Sequence, residues 1–487
     1  MRGPLARRDE SYGAPARTGL TSDFVNGEVS FWYRRDGLPS ARVPLPGPRE
    51  YDVCVVGGGF TGLWTAYYLK RARPELRVAV LEREFAGFGA SGRNGGWLTA
   101  ELAGSPARYA RAHGRDAVVA QQRAMFGAVD EVIRVAAEER IEADIVKGGV
   151  LNVATNPAQR RRLHEELTGA RAWGFAEADL RLLTEDERER RLRVAGALDA
   201  TYSPHCARVQ PARLVQGLAR AVEALGVDIF ETTTVTEIRP RTMTGGPAEA
   251  VTDRGNVRAE YVLRATEGFT AGLAGQRRQW LPMNSSMIVT EPLGAGVWER
   301  IGWEGRELLG DHAHAYIYAQ RTADDRIAIG GRGVPYRFGS GWDRRGATQP
   351  KTVTALRRML DNLFPAVTDT RVDHAWCGVL GVPRDWCSTA HVDHETGLGW
   401  AGGYVGTGVA TTNLAGRTLR DLILREDTEL THLPWVGRQV RQWEPEPLRW
   451  IGVQLIYTLY RAADRRENTG LPRASHYARL ADLISAR

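Results

Sequence analysis

The chain has 487 residues, of which 43% are hydrophobic and 25% charged, with a formal net charge of +7. This is the composition of a globular protein with room for two domains, and it excludes a disordered or collagen-like chain. All but three of the basic residues are arginines, and they are scattered rather than gathered into an arm. With no stacking or finger motif beside them, that scatter argues against nucleic acid as a partner.

Residues 1–44 form a lead-in segment rich in Gly, Pro and Arg, with an aromatic knot at Phe31, Trp32 and Tyr33 expected to pack on the body of the protein. The paired Arg7 and Arg8 are followed by no apolar segment, so they do not read as a signal peptide or an export signal. No apolar run is long enough to span a bilayer. Cys54, Cys206, Cys377 and Cys387 are few and unevenly spaced for a disulfide scaffold, which points to a reducing cytoplasm.

From Tyr51 to Glu82 the chain reads YDVCVVGGGFTGLWTAYYLKRARPELRVAVLE. Asp52 to Val56 is an apolar run expected to be a buried strand, and Gly57, Gly59 and Gly62 follow in the spacing of a dinucleotide-binding turn. Gly57 permits the tight turn, Gly59 lets backbone approach a pyrophosphate, and Gly62 lets the next helix pack close to the sheet. That helix would turn its free N–H groups toward the phosphates. Arg77 to Leu81 supplies a second strand, and Glu82 at its end is placed to accept hydrogen bonds from ribose hydroxyls. Taken alone, this unit does not distinguish a nicotinamide from a flavin dinucleotide.

Gly87 to Trp97, GFGASGRNGGW, is so rich in glycine that backbone must lie close to something flat or charged. With this loop directly after the βαβ unit, the sequence resembles the D-amino-acid oxidase superfamily of FAD enzymes, and within it the branch around gamma-glutamylputrescine oxidase. The resemblance implies an α/β fold in which a Rossmann-like FAD-binding domain is interleaved with an α+β substrate domain built on a mostly antiparallel sheet. It also implies that Gly57, Gly59, Phe60, Thr61, Gly62, Glu82 and Arg83 hold the ADP half of FAD. Ser91, Gly92, Arg93, Asn94, Gly95 and Gly96 would line the pyrophosphate and the flavin ring.

Ser105 to Arg140 is expected to be helical, with an apolar stripe through Met125, Val129, Val132, Ile133 and Ala136. Lys147 to Thr155 reads as a strand, Ala158 to Trp173 as a charged, solvated helix, and EDERERR at 185–191 as an exposed face of mixed charge. Pro211 opens a helix that Gly226 ends, and a strand pair follows, ending in Val235 to Ile238. In the family this element returns to the cofactor, so backbone at Val235 would touch the adenine. Tyr261 to Thr270 would close over the cofactor through Ala265 and Thr266, although Glu267 is an unusual neighbour for phosphates.

Met287–Leu293, the hairpin Ala315–Gly333 turning at Asp324 and Asp325, and a helix over Thr352–Asn362 make a strand-rich second unit. Tyr316 and Tyr318 share a face there, either in the core or lining a substrate cavity. Gly399 to Leu419 is strand, glycine turn and helix, gathering the N–H groups that a reduced flavin needs near N1 and O2. The resemblance assigns that role to Gly403, Tyr404, Gly406, Thr407 and Gly408. The tail, ending in an amphipathic helix, is expected to pack on the body rather than on a membrane. The FAD domain is thus expected at 45–105, 205–275 and 376–425, the substrate domain at 106–204 and 276–375, and a helical tail at 426–487.

An amine is oxidised by hydride loss from the carbon bearing its nitrogen, which requires the neutral form of a group whose pKa is around 10. An aromatic and apolar cavity would favour that form, and Tyr316, Tyr318, Trp376 and Tyr404 are the candidates for its walls. Relatives that act on α-amino acids carry an arginine clamp where HAWCGVLGVPRDW has Leu380, so an α-carboxylate would lack its bidentate partner unless Arg384 substitutes. Sarcosine oxidases place an oxygen-activating lysine where RIAIGG has Ala328. They also place a cysteine bonded to FAD at about the distance that separates Cys377 from Gly403, which makes a covalent link at Cys377 an alternative to a buried, inert thiol.

Cys387, His391, Asp393 and His394, with His312 and His314 elsewhere, match no tetrahedral spacing and read as a polar hairpin, so no metal is expected. Ser91 lacks a placed histidine and is no nucleophile. The reading is an FAD-dependent oxidoreductase that deaminates a primary or secondary amine, with oxygen as acceptor and hydrogen peroxide as product. Its alternatives are a dehydrogenase or N-demethylase with another acceptor, and a flavin-binding partner protein without turnover.

Overall fold

The computed structural model describes residues 24–242, 245–331, 333, 335–471 and 474–485. The Arg7–Arg8 pair lies outside them. Among the described residues two large sheets, one of eight strands and one of nine, carry the molecule, beside a small two-stranded one. The centre of the first is the strand Arg49–Val56, flanked on one side by Val78–Leu81 and on the other by Val257–Arg264, all parallel. Its last four residues are wholly buried, as a central parallel strand covered on both faces must be. Asp228–Phe230 extends the sheet beyond Val78–Leu81 in parallel, and Leu398–Gly402 joins the far side of Val257–Arg264.

The chain therefore leaves Arg49–Val56 toward one neighbour, while its other neighbour arrives from much later in sequence. The carboxyl end of such a strand is where open α/β sheets form a crevice. The helix Phe60–Ala72 covers this sheet and is buried from Phe60 to Lys70. Against it packs the helix Gly408–Leu424, so closely that a Cβ at Gly416 would lie 2.7 Å from the Trp64 Cβ.

The nine-stranded sheet is built around Leu281–Thr290 and Val372–Val382, paired antiparallel from Leu281 opposite Val382 to Thr290 opposite Val372. Ile317–Arg321 and Ile327–Gly331 form the expected hairpin beside them. The helix Pro350–Leu363 closes one face with Val353, Leu356 and Leu360. The lead-in knot is the helix Phe31–Asp36, whose Phe31 stacks on Trp376. Trp32 Nε1 donates to the Asn94 carbonyl at 2.9 Å and Ser30 Oγ to that of Gly92 at 2.8 Å, so this segment holds the second glycine loop from below.

Three expectations change. Asp228–Phe230 and Val235–Arg239 are not partners: the first pairs with Val78–Leu81, the second antiparallel with Ala248–Thr252 at the opposite edge of the sheet. The boundary at 376 falls inside Val372–Val382, a strand of the nine-stranded sheet, so one strand serves both units. Residues 185–191 form a helix capped by Thr184 and Glu187 that leaves its charged side chains accessible, as expected, except at Arg188, which is buried and donates to the Leu198 carbonyl at 2.8 Å.

Among its described residues the tail carries two α-helices, Leu448–Glu467 and His476–Ser485. Val453, Ile456, Tyr457 and Tyr460 pack with Trp443, Tyr336 and Leu281. Glu467, its side chain 1% exposed, accepts from Arg162 Nη1 at 2.8 Å, faces His314 Nε2 at 3.0 Å and accepts from the Ser475 N–H at 2.9 Å. His314, Asp464 and Glu467 converge closely enough to suggest a metal centre. Arg162 already occupies the place of its cation.

Candidate active site

Gly57 turns the chain out of its strand with φ +113°, and a Cβ there would sit 2.6 Å from the Ala265 carbonyl oxygen. A Cβ at Gly62 would sit 2.1 Å from the Gly57 carbonyl oxygen, so the helix lies as close to the strand as backbone allows. The cleft that opens here is lined by Gly57, Gly59, Phe60 and Thr61, by Glu82 and Arg83, by Ser91 and Asn94, and by Val235, Ala265 and Thr266. Its far part is lined by Leu380, Tyr404, Gly406 and Gly408. Three stretches of chain far apart in sequence thus share one groove.

Glu82 accepts from the Gly58 N–H at 2.8 Å and the Glu84 N–H at 3.0 Å, which fixes its carboxylate at the wall; burial raises its pKa. Arg83 lies over the rings of Trp342 and Phe269, at 4.8 and 5.6 Å. Ser91 Oγ accepts from the Phe60 N–H at 2.9 Å, tying the second glycine loop to the first turn of the helix. Asn94 donates to the Ala90 and Ser91 carbonyls and accepts from the Gly96 N–H at 2.8 Å, so its own loop holds it rigid.

A second cavity, of about 470 Å³, adjoins the first. Ala90, Asn94, Leu380, Gly406 and Val409 line both. Tyr316, Tyr318, Arg93, Gly95 and Thr407 line the second alone, and the Tyr318 hydroxyl lies 2.8 Å from Ser285 Oγ. The far end differs from the aromatic and apolar chamber expected from the sequence, because Glu101, Glu166, Asp311 and Asp482 line it.

Several expected site residues lie elsewhere. Trp376 is fully buried beneath the second glycine loop and donates to the Arg93 carbonyl at 2.8 Å, so it supports the loop and lines neither cavity. The Cys377 thiol also lies outside both: it faces Asn284 and the Gly378 carbonyl, and burial raises its pKa. No described contact brings it to the cleft. Arg384 is engaged by Glu444 at 3.1 Å and cannot serve as a carboxylate clamp. Ala328 is packed in the aromatic cluster of Phe31, Trp32 and Trp376.

Gly62, Gly92 and Gly96 stand behind the walls rather than in them. Arg93 spends its guanidinium on the carbonyls of Phe88, Cys377 and Arg344, and burial without a carboxylate partner lowers its pKa to about 10. Tyr404 lines the cofactor cleft, but its hydroxyl lies 3.0 Å from Thr61 Oγ1 rather than in the second cavity.

The last glycine turn brings a further correction. The Gly403 N–H donates to Glu267 at 2.8 Å and the Tyr404 N–H at 3.2 Å, as does the Gly381 N–H at 3.2 Å. These two turn N–H groups therefore bind a protein carboxylate, and Gly403 lines neither cavity. Burial outweighs the three donors and Arg264, pushing Glu267 up to about 7. Glu267 is a clamp that joins the strand Val372–Val382 to the turn. Its odd position in a phosphate-binding context was the one sequence signal.

The groove fits a flavin dinucleotide. It runs from an acid at the end of the second strand, past a helix N-terminus, to a rigid loop bordering a separate cavity, and a Cβ at Gly59 would project to 3.0 Å from Ser91 Oγ and fill its neck. Fold and groove together define an FAD-dependent oxidoreductase. Residues 52–422 match the family model described as FAD dependent oxidoreductase, DAO, and the chain belongs to that family. It is 31% identical over 400 residues to the gamma-glutamylputrescine oxidoreductase of Escherichia coli (strain K12), covering 79% of this chain and 88% of that protein. It is 27% identical to the glycine oxidase of Geobacillus kaustophilus over 79% of this chain and 96% of that one. The crystal structure of glycine oxidase from the same species superposes with a TM-score of 0.65 over 78% of this chain and 96% of that chain, at 23% identity.

Proposed function

We propose that the protein oxidises a primary or secondary amine to an imine, which water hydrolyses to a carbonyl compound, with oxygen as electron acceptor and hydrogen peroxide as by-product. The observation that carries this reading is Leu380 at the junction of the two cavities. FAD held in the groove supplies a hydride acceptor at flavin N5. The chain's own residues orient the substrate and exclude water. At the junction the amine meets Leu380, Val409, and the fixed carbonyls and amide of the Ala90–Asn94 loop. Among the described residues that surface has no guanidinium positioned to clamp a carboxylate, because Arg93 is committed to three carbonyls and Arg384 to Glu444. An apolar junction also favours the neutral amine, whose lone pair assists hydride loss. The names of the relatives, an oxidoreductase of gamma-glutamylputrescine and a glycine oxidase, support CH–NH or CH–NH2 chemistry.

The test is anaerobic bleaching of the bound flavin by a panel of amines, diamines, N-methyl compounds and α-amino acids. Amines without an α-carboxylate should bleach it fastest. Bleaching by α-amino acids alone would sink the inference from Leu380. Under air, peroxide should appear in step with substrate loss; turnover without peroxide in the presence of an artificial acceptor would assign a dehydrogenase instead.

A further inference from the structure

The end of the second cavity remote from the cofactor groove has an unbalanced charge. Four carboxylates, Glu101, Glu166, Asp311 and Asp482, line the cavity against two guanidiniums, Arg93 and Arg162. Both guanidiniums are engaged elsewhere, and Arg162 offsets the charge of Asp311 only in part. Arg93 is bound to carbonyls, and Arg162 gives Nη1 to Glu467 and Nε to the His312 carbonyl. Glu101 and Glu166 both have accessible side chains, and both line the cavity.

The nearest candidate counter-charge to Glu166 is His312, with Nδ1 3.4 Å from Glu166 Oε2. Its side chain is 9% exposed, and Nε2 has no hydrogen-bond partner among the described residues. Burial and the neighbouring Arg162 lower its pKa to about 4, so it is neutral. Arg162 Nη2 is buried in the same wall with no hydrogen-bond partner among the described residues. Burial and the charge of Glu101 push Glu166 up to about 7, and burial with Asp464 does the same for Asp311. Four carboxylates against two guanidiniums that are both engaged elsewhere leave the cavity wall with an excess of negative charge that a cation entering from outside offsets.

We propose that this end of the cavity is a cation subsite: Glu101, Glu166 and Asp311 hold the far ammonium group of a substrate bearing two or more amino groups, while the amine to be oxidised stands at the junction beside Leu380. The proposal rests on the amine-oxidising reading and names the substrate class within it. One amino group enters as the ion and stays so. The other reacts as the free base in apolar surroundings.

The experiment is anaerobic flavin reduction in the holoprotein by straight-chain α,ω-diamines and by n-alkylamines of equal length. The diamine should be favoured by about tenfold or more, the factor that one charge-assisted hydrogen bond supplies. In Glu101→Gln and Glu166→Gln the diamine-to-alkylamine ratio should collapse toward one. Should either variant lose its flavin, the wild-type ratio measured against pH replaces it. That ratio should rise through about pH 7 as Glu166 and Asp311 ionise, because the reacting amine contributes equally to both substrates. Equal reduction by alkylamine and diamine, with a ratio flat in pH, overturns the subsite and leaves amine oxidation standing. A flavin that no amine reduces overturns both.

Discussion

At the scale of single residues, three positions decide how the site is held. Gly62 has no room for a side chain, so Gly62→Ala must separate helix from strand, at a cost on the order of 3 kcal/mol. The variant should purify with little flavin absorbance, whereas full flavin content would show that the helix has room to shift. Glu267 is an acid whose folded pKa is raised. Its stabilising contribution is present below the unfolded value of 4.5 and is lost as pH rises through about 7. Between those limits its ionisation should cost on the order of 2 kcal/mol, allowing for its partial exposure, and Glu267→Gln should flatten the fall in melting temperature over that window. Glu467 is the opposite case, depressed to about 2 by His314, the Ser475 N–H and Arg162, which together outweigh its burial. Its contribution is present above 4.5 and lost as pH falls through about 2. These two acids look alike in the sequence, since what separates them is the number of cations that the fold brings near.

At the scale of elements, the strands and helices were legible wherever local pattern and tertiary partner agree. Asp52–Val56 and Arg77–Leu81 fall within three residues of the strands observed, because a buried parallel strand is an unbroken apolar run. The error at 228–239 has the same root. Two apolar stretches in succession look like a hairpin, and nothing local says that each joins an opposite edge of one sheet. The long helix Pro106–Glu138 shows a subtler departure, a break at Gly114 with φ +80° and no atom near where a Cβ would stand. Gly114→Ala should therefore cost only backbone strain, about 1 kcal/mol, read as a small drop in melting temperature with flavin content intact. The comparison with Gly62→Ala separates a glycine kept for its φ from one kept for space.

At the scale of the whole molecule, most of the cofactor groove was readable, whereas of the substrate cavity only Tyr316 and Tyr318 were and its carboxylates were not. The groove depends on backbone, and backbone demands leave glycines at fixed spacing. The cavity depends on side chains that meet across hundreds of residues, so Glu166 in a charged helix reads as a solvated ion and Glu101 as a loop residue. Trp376 misled for the converse reason, because an aromatic near the site in sequence became a support for the loop above it. The tail was expected to pack on the body, and it also supplies Tyr460 and Asp482 to the cavity wall. Glu467→Gln, which leaves Arg162 with an uncompensated charge, should cost about 3 kcal/mol and speed hydrogen exchange along Leu448–Glu467. Unchanged protection there would mean that apolar packing alone retains the helix. This arrangement also fixes an order in time. Translation delivers every residue of the cofactor groove before Tyr460 and Asp482. A nascent chain can thus assemble the groove while the reaction chamber still lacks part of its wall, and the enclosure that keeps bulk water from the reacting amine is finished only when the last two helices dock.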